Sequence, residues 1–466
     1  MGSVLAAAAL LAGCGGNAGA NVNASGGSTG GNASPTVVSV GDAPMSSVLA
    51  AMVTISAVSM TSSAGSVSLL QQPRTVELTH LGGIRAPLSL QPLPEGTYTS
   101  MSITVSAAQI TYIDPNSGQP VMATATIPTA SATQTITLNP ALQVNDSGAT
   151  DIRFDFDLQQ SLDLSGSTVT FTPVIAGAVA RVKDEDADAR QIHVDGTVSA
   201  TDTTKQTITM SVGDSGLTVT LNVTSSTQFD DGLSLGSLTA GTAVDSEDTI
   251  GPDGALTALE IETADDGGVE GHQGRVDGGI VTAVTRDSQN QLTSFTMVVR
   301  NCLRLINLGT VLTVQVNSAT AFKDSMMAAS AGLAGFDQSS IFPGQGVWVA
   351  GTAVQRSTNT VLAAELRPAA VNPLGLTSAA VTVNGSIGYS ITLLLDTQAN
   401  FAKFAGLTTL VVDTNTNTVL DGQELSSGTI ASLAVGTPLV ARGYLAAGAS
   451  GSADVLYCAH LHEESH

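Results

Sequence analysis

From Met101 to Val105 apolar and hydroxyl-bearing residues alternate one for one. The same period of two returns in TQTITL at 133–138, RFDFDL at 153–158 and STVTFTPVI at 167–175. A period of two sends alternate side chains to opposite faces of a β-strand. Between these runs stand DPNSGQP at 114–120, NPALQVNDSG at 139–148 and DLSG at 163–166, which carry the Pro, Gly, Asn and Asp that reversing chains need. Residues 36–182 therefore read as one β-sandwich, Ig-like or transthyretin-like, with antiparallel neighbours.

Beyond the charged stretch ARVKDEDADAR at 180–190 the pattern repeats. VDGTVSA at 194–200, VDGGIVTAV at 276–284 and VNGSIG at 383–388 open three units. Their interiors align as Val223–Phe229, Val316–Phe322 and Val412–Thr418, each a strand with a Thr/Asn exit, followed by a Gly turn into an apolar strand. The units span 191–265, 275–371 and 377–463. Each has five or six short strands with Gly at the corners, which predicts three small OB-like β-barrels. The whole chain is expected to be all-β.

Charge changes this picture at the surface. Lys and Arg number 16 and Asp and Glu 39, a formal charge of −23, yet charged residues make up only 12% of the chain. The surface must be polar mainly through Ser, Thr, Asn and Gln. Such a chain repels phosphate backbones and anionic headgroups, so nucleic acid is not an expected partner and divalent cations are better ones. Aromatic residues are 3% with a single Trp, too few for a platform of exposed rings.

At the N-terminus Val4–Ala12 is an unbroken apolar run, too short to span a bilayer and of the length of an export-signal core. Leu11-Ala12-Gly13-Cys14 resembles the bacterial lipobox, and the resemblance implies that Cys14 is diacylated and becomes the first residue of the mature chain. Residues 1–14 are then a signal peptide. No Lys or Arg precedes the apolar run, as expected if the natural start lies upstream. Residues 15–35 are mostly Gly, Asn, Ser, Thr and Ala and carry no charge, the composition of a flexible linker. GDAP at 41–44, GTY at 96–98, DFDL at 155–158 and Thr172-Pro173-Val174 make the first domain resemble domain of unknown function 4382, found in bacterial surface lipoproteins. The repeats resemble domain of unknown function 5666. Neither resemblance implies a reaction.

Several clusters could carry chemistry. Asp42, Asp155 and Asp157 could bind a cation, but Asp155 and Asp157 share a strand face opposite Phe154 and Phe156, which reads as a solvated face. GDSG at 213–216 has the letters of a serine-protease motif, but it stands between TITMSV and LTVTLNV and reads as a hairpin turn. In DTNTNTVLDGQE, residues 413–424, Asp413, Asn415, Asn417, Asp421 and Glu424 fall at positions 1, 3, 5, 9 and 12 of an EF-hand-like loop, so calcium is the candidate cofactor. Thr418 stands where the sharp turn wants glycine. In YCAHLHEESH, a regular final strand would put Cys458, His460 and His462 on one face, a ligand set for zinc or copper. HEESH lacks the helix and third ligand of a zinc protease. Cys302 and Cys458 are either a disulfide pair or two independent buried thiols.

The expectation is a lipid-anchored module of the bacterial cell envelope, held at the outer membrane or cell surface, with an envelope or extracellular partner and no catalytic residues. The alternatives are a metal-dependent envelope hydrolase, which needs a cleft gathering a nucleophile or metal with a base, and a periplasmic solute-binding protein, which needs a large apolar pocket.

Overall fold

The alternation of the sandwich strands is answered by two facing sheets. The computed structural model describes residues 33–463 apart from 44, 46, 82–84, 115–116, 146–147, 167, 186–189, 213–216, 230–232, 264–275, 303–308, 356, 372, 385–387, 396–399, 422–424, 426–429 and 448–452. The larger sheet runs Thr133–Val144, Gly96–Ile113, Val48–Ser62, Gly65–Ser68, with Arg74–Glu77 and Pro120–Thr124 added at its sides. The smaller runs Ile175–Arg181, Thr150–Asp157, Thr36–Ala43, Ala86–Ser89. Their inner faces meet in a core of Val38, Val40, Ile55, Met60, Met101, Ile103, Phe154 and Phe156, all buried. The antiparallel expectation fails at an isolated parallel bridge between Thr126 and Thr170 and along one whole strand pair. Thr36–Ala43 lies parallel to Thr150–Asp157, in register from Thr36 opposite Thr150 to Ala43 opposite Asp157. A parallel pair needs a long crossover, and here the entire larger sheet intervenes in sequence.

Each of the three following units closes on itself. In the first barrel the strands Gln191–Asp202, Thr207–Val212, Leu217–Asn222, Ala243–Ile250 and Leu256–Thr263 form one sheet, closed by a parallel pairing of Leu221 with Leu256. The second repeats this order with Val276–Arg286, Leu292–Cys302, Val311–Gln315, Gly346–Gln355 and Thr360–Ala369. In the third, Leu374–Thr377 takes the place of the first strand, followed by Gly388–Leu395, Thr409–Asp413, Pro438–Ala447 and Ala453–Glu463. Its core is Ile391, Leu393, Leu410, Val412, Leu439, Ala441, Leu456, Cys458 and Leu461.

Four local devices recur at equivalent positions and fix the alignment. A glycine in the first strand lies against the second: a Cβ on Gly196 would stand 2.1 Å from the Ser211 carbonyl oxygen, on Gly279 2.2 Å from that of Val298, and on Gly375 2.8 Å from that of Leu394. Next, Ser199, Thr282 and Ser378 donate their hydroxyls to the carbonyls of Thr209, Thr296 and Thr392. Gly241, Gly344 and Gly436 turn into the fourth strand with φ of 96°, 93° and 96°, a region L side chains avoid. Finally, Thr227, Thr320 and Thr418 each donate a hydroxyl, at 2.8 Å, to a carbonyl of the last strand, those of Ala258, Ala363 and Cys458. The same hydroxyls accept the amides of Thr224, Asn317 and Asn415 three residues back.

These devices correct two alignments read from the sequence. The third unit begins at Leu374, before the expected 377, and VNGSIG belongs to an added hairpin in which Thr382–Asn384 pairs with Gly388–Ser390. The counterpart of Thr227 is Thr418, two places beyond where matching Val412 with Val223 put it. The Thr414 amide bonds the Tyr389 carbonyl as the Val223 amide bonds that of Gln206, so Thr414 is the counterpart of Val223 and the letters slip where the geometry does not.

One barrel differs inside. The interior position held by Gly351 in the second barrel and Gly443 in the third is Asp248 in the first, opposite Ala258. Asp248 has no exposure, and its Oδ1 accepts the Ser246 hydroxyl at 3.0 Å. Burial pushes its carboxyl up to about 7, against the Ser246 bond and the His193 charge, with Asp245 and Glu247 adding to the rise.

Two outcomes follow. Thr227→Val should destabilise the first barrel by about 1–3 kcal/mol, because it strands a buried carbonyl and an amide. Hydrogen exchange on Leu256–Thr263 reads the loss, and Ser225→Ala, in the exposed part of the same turn, should leave it unchanged. For Asp248 the folded state holds its proton more tightly than the unfolded chain, so its ionisation costs stability as pH rises. The cost grows by about 1.4 kcal/mol per pH unit between about pH 4 and pH 7. Asp248→Asn should therefore raise the melting temperature at pH 8 and leave it unchanged near pH 4.

Candidate functional site

Polar chemistry gathers where the first and third barrels meet. His193 projects from the outer face of the first strand of barrel one, because its neighbours Ile192 and Val194 fill the interior. Asp245 projects from the adjacent strand between Val244 and Ser246, whose side chains also point inward. His193 Nε2 lies 2.5 Å from Asp245 Oδ1. Arg442 of the third barrel reaches across, its Nη2 3.3 Å from Asp245 Oδ2. Around them Glu247, Glu260, Ala370, Val419, Tyr444, Ala459 and His460 line an open cleft.

The carboxylate is the pivot of this group. Burial alone would raise Asp245, but the His193 and Arg442 charges outweigh it and hold its carboxyl at about 2. Burial pulls His193 down, yet the Asp245 charge and hydrogen bond prevail and its pKa is raised. An anion flanked by two cations is a clamp between barrels. Oδ1 of Asp245 faces His193 within the first barrel, and Oδ2 reaches across to Arg442 of the third.

Other seams use the same economy. Arg85 of the sandwich donates to Asp151 at 2.9 Å and to the Gln191 carbonyl of the first barrel at 2.8 Å, and its own carbonyl accepts the His193 amide at 2.8 Å. Asp151 also takes Arg153 at 2.8 Å, and Arg153 pairs onward with Glu185. Arg300 of the second barrel donates to the hydroxyl and carbonyl of Thr79 at 2.9 and 3.1 Å, while Thr79 is held by Glu77. Burial lowers the Arg300 pKa and the Glu77 charge opposes that. The Thr111 hydroxyl donates to the Gly309 carbonyl at 2.8 Å, a second tie between sandwich and second barrel.

The candidates read from the sequence fare differently. Cys14 and GDSG at 213–216 lie outside the described residues, although Val212 pairs with Leu217 as the two arms of a hairpin. The calcium loop is spent elsewhere. Asn415 Oδ1 accepts the Asn417 amide at 2.7 Å, as Asn317 accepts Ala319 in the second barrel. The Asn415 and Asn417 amide groups donate to Ser330 and Ala331, capping the C-terminal end of the short helix Met326–Ala331. Asp413 accepts the Ser390 hydroxyl. Glu424 and the side chain of Asp421 lie outside the described residues. The EF-hand reading fails at Asn415 and Asn417 because this segment is the threonine-closed turn common to all three barrels, used here to dock barrel two.

The tail also needs correction. Opposite Arg442 and Gly443 stand His460 and Cys458, so Ala459 is an extra residue, a β-bulge. Cys458 points into the core, where it is a free, fully buried thiol that burial pushes above its ordinary range. His460 falls on the outer face beside Arg442, in the cleft. The bulge breaks the period of two, so Cys458 and His460 do not share a metal. The side chains of His462 and Cys302 lie outside the described residues, and Cys458, being free, makes no disulfide with Cys302. Among the described residues no group of three His, Cys, Asp or Glu could hold a metal ion.

Asp157 caps the short helix Leu158–Ser161, accepting the Gln160 amide at 2.8 Å. Asp155 is exposed and Asp42 points inward beyond Val38 and Val40, so the three carboxylates divide between opposite faces. Burial, then Glu77, Asp155 and Asp157, push Asp42 up to about 9 against the Leu158 amide. Sequence reasoning missed the clamp at Asp245. Its only trace is an Asp in AVDSEDTI that interrupts no alternation, while its partners lie 52 residues earlier, at His193, and 197 later, at Arg442.

The fold defines a class: an all-β chain of one sandwich and three closed barrels. Residues 35–173 match the family described as Domain of unknown function (DUF4382). No curated protein matches. Among solved structures the chain is similar to a copper(II)-bound variant of CusF from Escherichia coli at 15% identity, over 17% of this chain and 99% of that one, with a TM-score of 0.15. It is similar to the single-stranded DNA binding protein from Thermus aquaticus at 11% identity, over 41% and 92%, with a TM-score of 0.16. A Drosophila Unr CSD456 structure follows at 10% identity, over 60% and 98%, with a TM-score of 0.13. Values this low carry nothing about ligand or function.

The clamp has a pH window. The raised His193 pKa contributes stability that is complete below about pH 6.5 and lost as pH rises through its folded value, and the lowered Asp245 pKa contributes above about pH 4 and is lost toward pH 2. Asp245→Asn leaves Arg442 without its carboxylate and lets burial discharge His193, and should cost about 3 kcal/mol. Calorimetry should show its largest deficit between about pH 4 and pH 6.5 and a smaller one at pH 9.

Proposed function

We propose that this chain is a lipid-anchored module of the bacterial cell envelope that binds or braces at the surface and performs no catalysis. The observation that carries this reading is where its charged side chains go. Asp245, Arg442, Arg85 and Arg300 join one unit to the next, and Asp151 holds Arg85 in place. A body assembled this way presents its ends and faces to a partner while keeping its four units in contact.

The anchor supplies the other half of the reading. Leu11-Ala12-Gly13-Cys14 resembles a lipobox, and the glycine- and asparagine-rich residues 15–34 lead directly into the first sandwich strands. Each acyl methylene buried in a bilayer contributes about 0.8 kcal/mol, so the several chains of a bacterial lipoprotein hold firmly where one would not. No helix of the described residues is long and apolar enough to cross a membrane. The match of residues 35–173 to a family of unknown function accords with the likeness to surface lipoproteins, and the barrels resemble domain of unknown function 5666.

Produced in a bacterium behind a complete export signal, the wild-type chain should incorporate labelled palmitate and sediment with membranes. Cys14→Ser should abolish both. A wild-type chain that is exported but stays unlabelled and soluble would overturn the anchor.

A further inference from the structure

The outer face of the larger sandwich sheet is a registered grid of hydroxyls. Thr137, Ser100, Thr61 and Ser66 stand opposite one another across its four strands. Thr135, Ser102, Ser59 and Ser68 form the next row, and Thr133, Thr104 and Ala57 the third. Every position but Ala57 carries a hydroxyl. The alternation that sends Met60, Met101 and Ile103 into the core sends these side chains out. Thr133, Thr135, Thr137, Ser66 and Ser68 are exposed, and the central ones are half-buried. With strands about 4.8 Å apart and alternate residues about 6.8 Å apart, the grid covers roughly 14 Å by 14 Å.

The face is also uncharged. The strands Val48–Ser62, Gly65–Ser68, Gly96–Ile113 and Thr133–Val144 contain no Asp, Glu, Lys, Arg or His, in a chain whose formal charge is −23. Several hydroxyls are already tied across strands: Ser59 to Ser102 at 2.8 Å, Thr104 to Thr133 at 2.9 Å, Thr61 to Ser66 at 3.3 Å. Each hydroxyl has one donor and two acceptor sites, so a tied pair keeps a donor and three acceptors for something else. The ties fix rotamers in advance, which lowers the cost of ordering them on binding.

We infer that this grid is a binding face for a neutral, hydroxyl-rich polysaccharide, an inference that rests on the surface-module reading and names its ligand. Charge complementarity selects the class. A polyanion is repelled by the acidic chain and finds no Lys or Arg here; a polycation finds no carboxylate. A protein partner would want aromatic or long aliphatic anchors, and no side chain on the grid exceeds threonine. A small solute needs concavity. What remains is a polymer that exchanges hydroxyl bonds in both directions and repeats along its length, as the rows do.

Affinity electrophoresis of the purified full-length chain tests this, in native gels containing a β-glucan, a galactomannan or dextran, with alginate as the polyanion. Retardation is expected with at least one neutral polymer and not with alginate. Ser59→Ala/Ser102→Ala/Thr135→Ala should weaken it at least tenfold, and Ser102→Thr should preserve it. If the triple variant does not fold, Thr135→Lys on the exposed edge strand should give the same loss. Retardation by no neutral polymer, or undiminished retardation of a folded variant, would overturn the inference. Palmitate labelling does not enter this assay, so the ligand and the anchor can fail separately.

Discussion

Each barrel hangs on one threonine hydroxyl. Two short parallel contacts with the last strand close each sheet, one from the third strand and one from the residues just past the threonine, and parallel pairing of two or three residues is weak. Thr227, Thr320 and Thr418 reinforce it by accepting an amide of their own turn and donating to the last strand beside its bulge. The bulge residues Leu259, Ala364 and Ala459 bend that strand around the corner. Once the corner is fixed, the interior can be filled with Val, Leu and Ile of ordinary size, and the loops that leave the turn can lengthen freely. The second barrel spends that freedom on the helix Met326–Ala331, which the third barrel's Asn415 and Asn417 then cap. The closing device and the docking device are thus the same turn.

Charge is scarce, so its placement matters. Asp245, Asp151 and Glu365 sit between two cationic groups each, and against burial those partners hold the carboxyls of Asp245 and Glu365 below their ordinary range. Asp248 and Asp42 are the opposite case. Both are buried with raised pKa values, and each costs stability at neutral pH. In the third barrel Gly443 shows that the Asp248 position can do without a carboxyl.

The all-β class, the sandwich and the barrels were legible because they follow from alternation and turn chemistry, which are local. The parallel pairing of Thr36–Ala43 with Thr150–Asp157 was not, since nothing local distinguishes a strand with a parallel neighbour from one without. Register was the other loss. In the third barrel Thr414, not Val412, holds the place of Val223, so the letters were matched two residues early and Thr418 was counted as a calcium-loop defect when it is the closing residue. At Ala459 a single extra residue turned a presumed metal face into one core thiol and one cleft histidine. The clamp at Asp245 joins side chains nearly two hundred residues apart, and only the folded chain brings them together.

A face of serine and threonine hydroxyls has a limit that sets how it must work. It lacks the ring stacking that gives sugar-binding sites much of their hold, and each hydroxyl bond to a ligand replaces one to water, for a net gain near 1 kcal/mol or less. A single grid therefore holds a polymer weakly. Tethering changes the arithmetic. On the proposed anchor, a Gly/Asn/Ser-rich tether of about twenty residues would reach roughly 25 Å, so copies held in one membrane would engage one strand of polymer together, each contact after the first being made at the concentration the tether sets rather than that of free solution. The gain then comes from the number of copies per area of membrane. On this reading the lipid and the hydroxyl grid are two halves of one device, and a chain released from the membrane would keep its face and the weak hold of a single grid, which retardation in a polymer-laden gel reads, while losing the gain from many copies.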